Sequence, residues 1–487
     1  MPPPLHIVMA ASEAVPYAKT GGLADMVTAL SKTLSKLGHQ ISLFLPLYNS
    51  IDKSTLLATG HTLIVPISTQ QEKADIFSYR ADGITFYFIE STHYFSREGL
   101  YGEKGADYPD NAARFVFFSR AVLEASKVLG LQPDIFHCHD WHTALIPVYL
   151  KTVYTKDFQK SVSLLTIHNL GYQGAFWHYD WHLLNLSWDY FHHQALEFYG
   201  KINFLKGGIV FADALSTVSP KYAKEIQTAA FGGRLEGLLT KRRRQIVGIL
   251  NGIDTQEWDP ARDINIPYRY HPGDLTGKEK CKAALQKELS LSLKKNWPLL
   301  AMVSRLSEQK GVDLMLATLS KLMQWDVQLV IMGTGDKRYE AALRKLAETY
   351  PGQASIKISY DAALAHRITA GADMFLMPSR YEPCGLSQMM SLRYGTAPIV
   401  RAVGGLDNTV AQFNPLTLIG NGFKFREYSD TAFLRQIQKA LSLFKERKKW
   451  HALIQNGMHG NYGWDLSAEK YTKLYYTMIL EKNESVP

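Results

Sequence analysis

Residues 5–11 (Leu5-His6-Ile7-Val8-Met9-Ala10-Ala11) are a short, mostly apolar run of the length of one buried strand. From Leu23 the period changes. Leu23, Met26, Val27, Leu30, Leu34 and Leu37 fall on one face of a helix, and Gly38 supplies its stop. Lys19-Thr20-Gly21-Gly22 joins the two. Strand, glycine turn and helix in succession make the first half of a βα unit, which points to a sheet with helices on its faces. The turn also has chemistry of its own. Adjacent glycines let the backbone approach a ligand closely, and the helix start offers unpaired N–H groups and a positive dipole end. Lys19 adds a full charge at the same point. Such a turn suits phosphate or a sugar hydroxyl, although turns of this kind also serve packing alone.

The alternation continues along the chain. Strands are predicted over 41–47 and 84–89, and a helix over 111–129. Asp134-Ile135-Phe136-His137 runs into His137-Cys138-His139-Asp140-Trp141-His142, residues 163–167 run into His168-Asn169-Leu170-Gly171, and 214–218 run into Ser219-Pro220. Special residues thus recur just after strand ends, where ligands collect in open parallel sheets. Asn251-Gly252-Ile253-Asp254 is a turn signal, and the Pro-, Asp- and Tyr-rich segment up to Asp274 reads as a connector. From Pro298 the pattern restarts, with strands over 299–303, 327–332, 356–359, 374–377 and 397–400 and helices over 311–323, 337–349 and 362–370. A last helix over 461–480 carries an apolar face (Trp464, Tyr471, Leu474, Tyr475, Met478, Ile479) that needs a partner. The reading is an α/β protein with two Rossmann-like doubly wound domains, 1–250 and 251–460, facing across a cleft, and residues 461–487 packing back on the first.

A length of 487 residues exceeds one compact core. The net charge of +9 favours anionic ligands. The run Lys241-Arg242-Arg243-Arg244 is expected to be a solvated surface segment, because no nucleic-acid module accompanies it. Cys138, Cys281 and Cys384 are odd in number and far apart, which argues against a disulfide framework and for a reducing interior. No apolar run approaches the roughly 18–20 residues that span a bilayer, and no basic segment precedes Leu5. The expectation is a cytoplasmic protein without nucleic-acid or membrane partners.

Arg305 and Lys310, in Val303-Ser304-Arg305-Leu306-Ser307-Glu308-Gln309-Lys310-Gly311, are two cations at a strand end and helix start that could neutralise a diphosphate. No Asp-x-Asp occurs in the chain, so a bridging metal lacks its usual short signal and no metal site is expected. Glu382, between Pro378 and Gly385, could hold two vicinal sugar hydroxyls through its two oxygens, or merely complement a helix dipole. A zinc reading of His137, Cys138, His139, Asp140 and His142 fails, since consecutive strand residues point to opposite faces. Asp140 and His142 fit sugar or acceptor contacts better. His168 fits a functional group or a buried histidine, and Tyr360 a base-stacking ring or plain core.

Lys19-Thr-Gly-Gly-Leu-Ala-Asp25, His137-Cys-His-Asp-Trp-His142, Thr166-Ile-His-Asn-Leu170, Leu250-Asn-Gly-Ile-Asp254, Ser304-Arg-Leu306 with Lys310-Gly311, and Pro378-Ser-Arg-Tyr-Glu-Pro-Cys-Gly-Leu386 occur in this order. In these motifs the chain resembles the bacterial glycogen synthases and plant starch synthases over nearly its whole length. The resemblance implies the GT-B fold and transfer of glucose, with retention, from a nucleotide-glucose to the non-reducing end of an α-1,4-glucan such as glycogen. It favours ADP-glucose over UDP-glucose as the co-substrate and implies no other cofactor. Carried over by motif, Lys19 and Gly22 face donor phosphates or acceptor, Asp25 the acceptor side, and Asp140 and His168 the transferred glucose. Arg305 and Lys310 stabilise the diphosphate, Glu382 holds sugar hydroxyls, and Tyr360 covers the base. Tyr101, Asn251, Cys384, Gly404 and Gly405 complete the implied substrate contacts. The chain departs from the pattern at Val403 and Asn408, where the family commonly has a threonine and an acid. A different GT-B glucosyltransferase, a phosphorylase and a non-catalytic glucan-binding protein are the rival readings.

Overall fold

The computed structural model describes residues 3–103 and 105–484. The chain divides into two compact units. One takes in the chain up to Val218, Ala223–Asn251 and the stretch from Trp464 onward; the other takes in Ser219–Tyr222 and Gly252–Gly463.

In the first unit β1 (His6–Ala10) leads into α1 (Gly22–Lys36), and then β2 (Gln40–Pro46). The antiparallel hairpin β3 (Leu57–Ile67) and β4 (Gln70–Ala81) follows, then β5 (Ile84–Glu90), α2 (Asn111–Val128) and β6 (Ile135–His139). Next come α3 (Leu145–Thr152), β7 (Val162–Ile167), α4 (Phe204–Phe211), β8 (Ala214–Thr217) and β9 (Ile246–Gly248). These strands form one sheet in the order β9-β8-β7-β6-β1-β2-β5-β4-β3, parallel from β9 through β5. β1 lies in the middle and is covered on both faces, so Ile7, Val8 and Met9 are fully buried. That explains its continuous apolar run. The hairpin over 57–81 was not expected. Its exposed positions mix polar side chains with Leu57, Ile64 and Tyr79, and it adds antiparallel strands at an edge, where one face stays wet.

In the second unit α5 (Thr276–Glu288) precedes β10 (Leu299–Val303), α6 (Val312–Leu322), β11 (Gln328–Met332), α7 (Lys337–Thr349) and β12 (Ala354–Lys357). α8 (Ala362–Gly371), β13 (Met374–Met377), α9 (Ser387–Arg393), β14 (Ala397–Arg401) and β15 (Phe423–Phe425) follow, and α10 (Asp430–Lys445) and α11 (Arg447–Met458) close the unit. The sheet is wholly parallel, in the order β12-β11-β10-β13-β14-β15. Its core gathers Leu300, Met302, Leu329, Ile331, Met374 and Leu376 with helix residues such as Met315, Phe433 and Ile437.

Two expectations need correction here. The irregular stretch between 250 and 299 contains α5, whose buried face mixes Lys278, Lys282 and Gln286 with Cys281 and Leu285 instead of forming an unbroken apolar stripe. Lys282 Nζ donates to Asp373 Oδ2 at 2.6 Å, and Lys278 Nζ to Ala370 O, Ala372 O and Thr396 Oγ1. The final helix, α12 (Asp465–Glu484), begins four residues later than predicted. It packs on α1 and β7 of the first unit, as its apolar face requires, with Tyr471 and Tyr475 fully buried.

Candidate functional site

Each sheet has a point where the strand order reverses, and both points are flanked by the residues singled out above. In the first unit β1 lies between β2 and β6, so the loops after β1 and β6 diverge from neighbouring strand ends. The loop after β1 is shaped by Glu13, which is 3% exposed. Glu13 Oε2 accepts from the Thr20 N–H at 2.5 Å and the Gly21 N–H at 3.3 Å, and Oε1 accepts from Thr20 Oγ1 at 2.7 Å. Tyr101 Oη donates to the same Oε1 at 2.6 Å and lies 2.7 Å from Ser12 Oγ. One buried carboxylate therefore holds the glycine turn and Tyr101 together. Glu13 was missed by sequence reasoning. Its signal was present, since Ser12-Glu13 is the first polar pair beyond the apolar run of β1.

Beyond that clamp, Lys19 Nζ pairs with Asp25 Oδ1 at 2.7 Å on the exposed side of the turn. Gly21 is extended, and a Cβ built there meets nothing within 4 Å. Neither backbone nor packing demands glycine at that position, so the missing side chain leaves room for something other than the protein. Gly22 starts α1 on the exposed surface beside it.

Asp140 follows β6 directly and adopts a left-handed φ of +56°, a sparsely populated conformation for a non-glycine residue. Its Oδ1 accepts from the His168 N–H at 2.7 Å and the Asn169 N–H at 3.4 Å, tying the loop after β6 to the loop after β7. Burial, with a contribution from the Glu13 charge, pushes its carboxyl up to about 7, against the pull of those two N–H donors. His142 is buried and its ring stacks on Tyr101 at 4.7 Å. His137 and His139, two residues apart, share a strand face with ring centroids 4.2 Å apart. Alternation thus separates both from Cys138 yet brings them together beside His168, whose Nε2 lies 3.0 Å from His139 Nδ1. Asn251 lies at the end of a segment of the first unit at 7% exposure, and its Oδ1 has no hydrogen-bond partner among the described residues.

In the second unit the order reverses between β10 and β13. The loop after β10 carries Arg305 and Lys310, and the loop after β13 carries Glu382. The two loops are stitched by the Arg380 N–H donating to Gln309 O at 2.9 Å. Lys310 Nζ donates to Glu382 Oε2 at 2.6 Å, with side chains 19% and 6% exposed. Ser379 Oγ lies 3.2 Å from the same oxygen. Two residues that sequence reasoning assigned to separate tasks thus form one ion pair at the switch point. Arg305 Nη2 reaches Gln309 Oε1 at 3.3 Å.

Gly404 and Gly405 sit beneath Glu382. A Cβ on Gly404, whose φ is +43°, would lie 1.8 Å from Glu382 O, and the Gly405 N–H donates to Glu382 O at 3.2 Å and Pro383 O at 3.1 Å. The glycine pair thus supports the Glu382 loop, and the Gly405 N–H is already engaged there. Val403 precedes the pair, and Asn408 Oδ1 accepts from the Lys221 N–H at 2.9 Å. Cys384 is buried in the same loop. Tyr360 stands apart, 70% exposed just beyond the edge strand β12.

Residues 6–241 match the model for the starch synthase catalytic domain, and residues 286–457 match that for glycosyl transferases group 1. The chain is 48% identical over 474 residues to a glycogen synthase of Koribacter versatilis (strain Ellin345), covering 97% of this chain and 98% of that protein. It is 42% identical over 489 residues to a glycogen synthase of Pseudothermotoga lettingae, covering 98% and 100%. The solved catalytic domain of starch synthase IV from Arabidopsis thaliana, bound to ADP and acarbose, superposes with a TM-score of 0.91 at 32% identity, covering 98% of this chain and all of that one. A sucrose-phosphate synthase from Thermosynechococcus elongatus shares the fold alone, with a TM-score of 0.63 at 16% identity.

Proposed function

The chain belongs to the glycogen and starch synthase family of GT-B glucosyltransferases, and from that premise we propose that it moves glucose from ADP-glucose to the non-reducing 4-hydroxyl of an α-1,4-glucan with retention. The observation that carries the residue assignment is the Lys310–Glu382 pair at the β10/β13 switch point. A permanent cation and a carboxylate held at one strand-end position match a diphosphate oxygen and a sugar hydroxyl, the two chemistries that meet where a nucleotide-sugar bond breaks.

In this reading Arg305 and Lys310 stabilise the charge that grows on the departing diphosphate, and Glu382 accepts hydrogen bonds from hydroxyls of the transferred glucose. Asp140 and His168 contact that glucose, and Tyr360 covers the base. Lys19 and Gly22 face phosphate or acceptor, with Asp25 and Tyr101 on the acceptor side. Room left at Gly21 supports the assignment of the turn to a ligand. The reaction needs neither a covalent nucleophile nor a bound metal, because fixed charges do the work of leaving-group stabilisation. ADP as the ligand of the starch synthase IV structure supports the adenine donor. Three buried cysteines, with no disulfide among the described residues, suit a reducing cytoplasm. Among the described residues no helix is long and apolar enough to cross a membrane.

Incorporation of labelled glucose into glycogen from ADP-glucose and from UDP-glucose, with Glu382→Ala as control, tests the proposal. Incorporation from ADP-glucose that persists in EDTA and disappears in the variant is the expected result. No incorporation from either donor, or a strict requirement for added magnesium, refutes it.

A further inference from the structure

His139 has no task in the mechanism above, yet it is fully buried and tightly held. Its backbone is clamped by Thr143, whose Oγ1 accepts from the His139 N–H at 2.7 Å and donates to His139 O at 3.0 Å. Its ring packs against His137 at 4.2 Å, and His137 is itself fixed at both nitrogens. His137 Nδ1 lies 2.8 Å from Tyr475 Oη of α12, and its Nε2 lies 2.6 Å from Thr166 Oγ1, which in turn meets Ser216 Oγ at 2.6 Å. This chain of contacts ends at the 3.0 Å approach of His139 Nδ1 to His168 Nε2.

Burial holds all three imidazoles well below their ordinary range, with His137 and His168 at about 3, so the rings are neutral at neutral pH. A neutral imidazole has one N–H and one bare nitrogen. The contact between His139 and His168 therefore requires exactly one proton between Nδ1 and Nε2. Two arrangements satisfy that rule, and the far side of His139 decides between them. His139 Nε2 is buried and has no hydrogen-bond partner among the described residues. A proton there would be an orphaned buried donor, which proteins avoid more strictly than an unused acceptor. The proton therefore belongs on Nδ1, from which it is donated to His168 Nε2. His168 must then carry its own proton on Nδ1.

We propose that His139 is a positioning residue that fixes His168 as the Nδ1–H tautomer, so that the half-buried imidazole presents a hydrogen-bond donor rather than an acceptor to whatever lies against it. The effect on turnover rests on the reading that His168 contacts the transferred glucose; the tautomer itself does not. A donor at that place is complementary to a sugar hydroxyl oxygen, and only one of the two tautomers supplies it.

The test combines nitrogen NMR of ¹⁵N-histidine-labelled enzyme with kinetics of two variants. Asparagine places an N–H close to where histidine carries Nδ1, so His139→Asn can still donate to His168, whereas His139→Leu cannot. In the wild-type enzyme the His168 resonances should report a protonated Nδ1 and a bare Nε2. His139→Asn should keep that pattern and near wild-type kcat. In His139→Leu the pattern should become mixed, and kcat should fall about tenfold, the scale of one hydrogen bond, with little change in KM. A wild-type His168 protonated at Nε2 overturns the inference whether or not either variant folds. So does a His139→Leu enzyme that keeps the Nδ1–H pattern. Equal losses in both variants with an unchanged His168 spectrum mark His139 as structural only. A shifted spectrum with wild-type kcat refutes the positioning role by way of the His168–glucose contact, and leaves the donor and acceptor assignments elsewhere untouched.

Discussion

Replacing Lys310 with alanine separates two consequences of one ion pair. Its Nζ is 2.6 Å from Glu382 Oε2, and the carboxylate is 6% exposed. Without Lys310, Glu382 keeps the nearby Ser379 hydroxyl but no cation from this pair. Breaking a fully buried pair by removing one partner costs about 3–5 kcal/mol; Lys310 is 19% exposed, so about 2 kcal/mol is the sounder figure here. For a domain of about 200 residues that corresponds to a fall in Tm of about 4–8 °C. The catalytic loss is a separate quantity, on the order of 10²–10³ in kcat for one electrostatic stabiliser. The double variant Lys310→Ala/Glu382→Gln distinguishes them, because a neutral amide no longer needs a cation. Its Tm should recover toward the wild-type value while its turnover stays low. The assays are differential scanning calorimetry and initial rates of labelled glucose transfer to glycogen. A Lys310→Ala enzyme within threefold of wild-type kcat, or a double variant that regains activity along with stability, would refute the argument.

Asp140 links stability to pH. Its folded carboxyl titrates near 7, far above the unfolded value, so the folded state binds the extra proton between about pH 4 and 7 and loses stability as pH rises through that window. Asp140→Asn should therefore gain Tm relative to wild type at pH 8 and little at pH 4.5, at the expense of activity; equal shifts at both pH values would contradict the burial argument. Glu13→Ala strips acceptors from the Thr20 N–H, Thr20 hydroxyl and Tyr101 hydroxyl; Thr20 is exposed to water and Tyr101 keeps Ser12 Oγ at 2.7 Å, so each loss is that of an ordinary hydrogen bond, about 0.5–1.5 kcal/mol. Loosened anchoring of the glycine turn should also raise KM, so an unchanged KM in saturation kinetics would sink the proposed clamp. Gly404→Ala drives a methyl into Glu382 O and strains a φ of +43°; activity should fall with Glu382 displaced, and a crystal structure with Glu382 unmoved would disprove the supporting role of that glycine.

Local features of the sequence determined a large part of this protein. Strand and helix periods are set by neighbours within a few residues, so the βα alternation, the turn at Lys19-Thr20-Gly21-Gly22 and the return of the last helix to the first unit were legible in order. The loops after strands stood out for the same reason, since their polar residues interrupt apolar runs. Only tertiary structure decided which loops meet. Lys310 and Glu382 are 72 residues apart, and Glu13 and Tyr101 are 88 apart; each pair depends on strand order, which no local period encodes. α5 escaped notice because its buried face interrupts Cys281 and Leu285 with Lys278 and Lys282, which are satisfied by oxygens distant in the chain. The His139–His168 contact has the same origin. Alternation places His137 and His139 on one face, but only the parallel pairing of β6 with β7 brings His168 beside them, and a proton's position follows from that encounter.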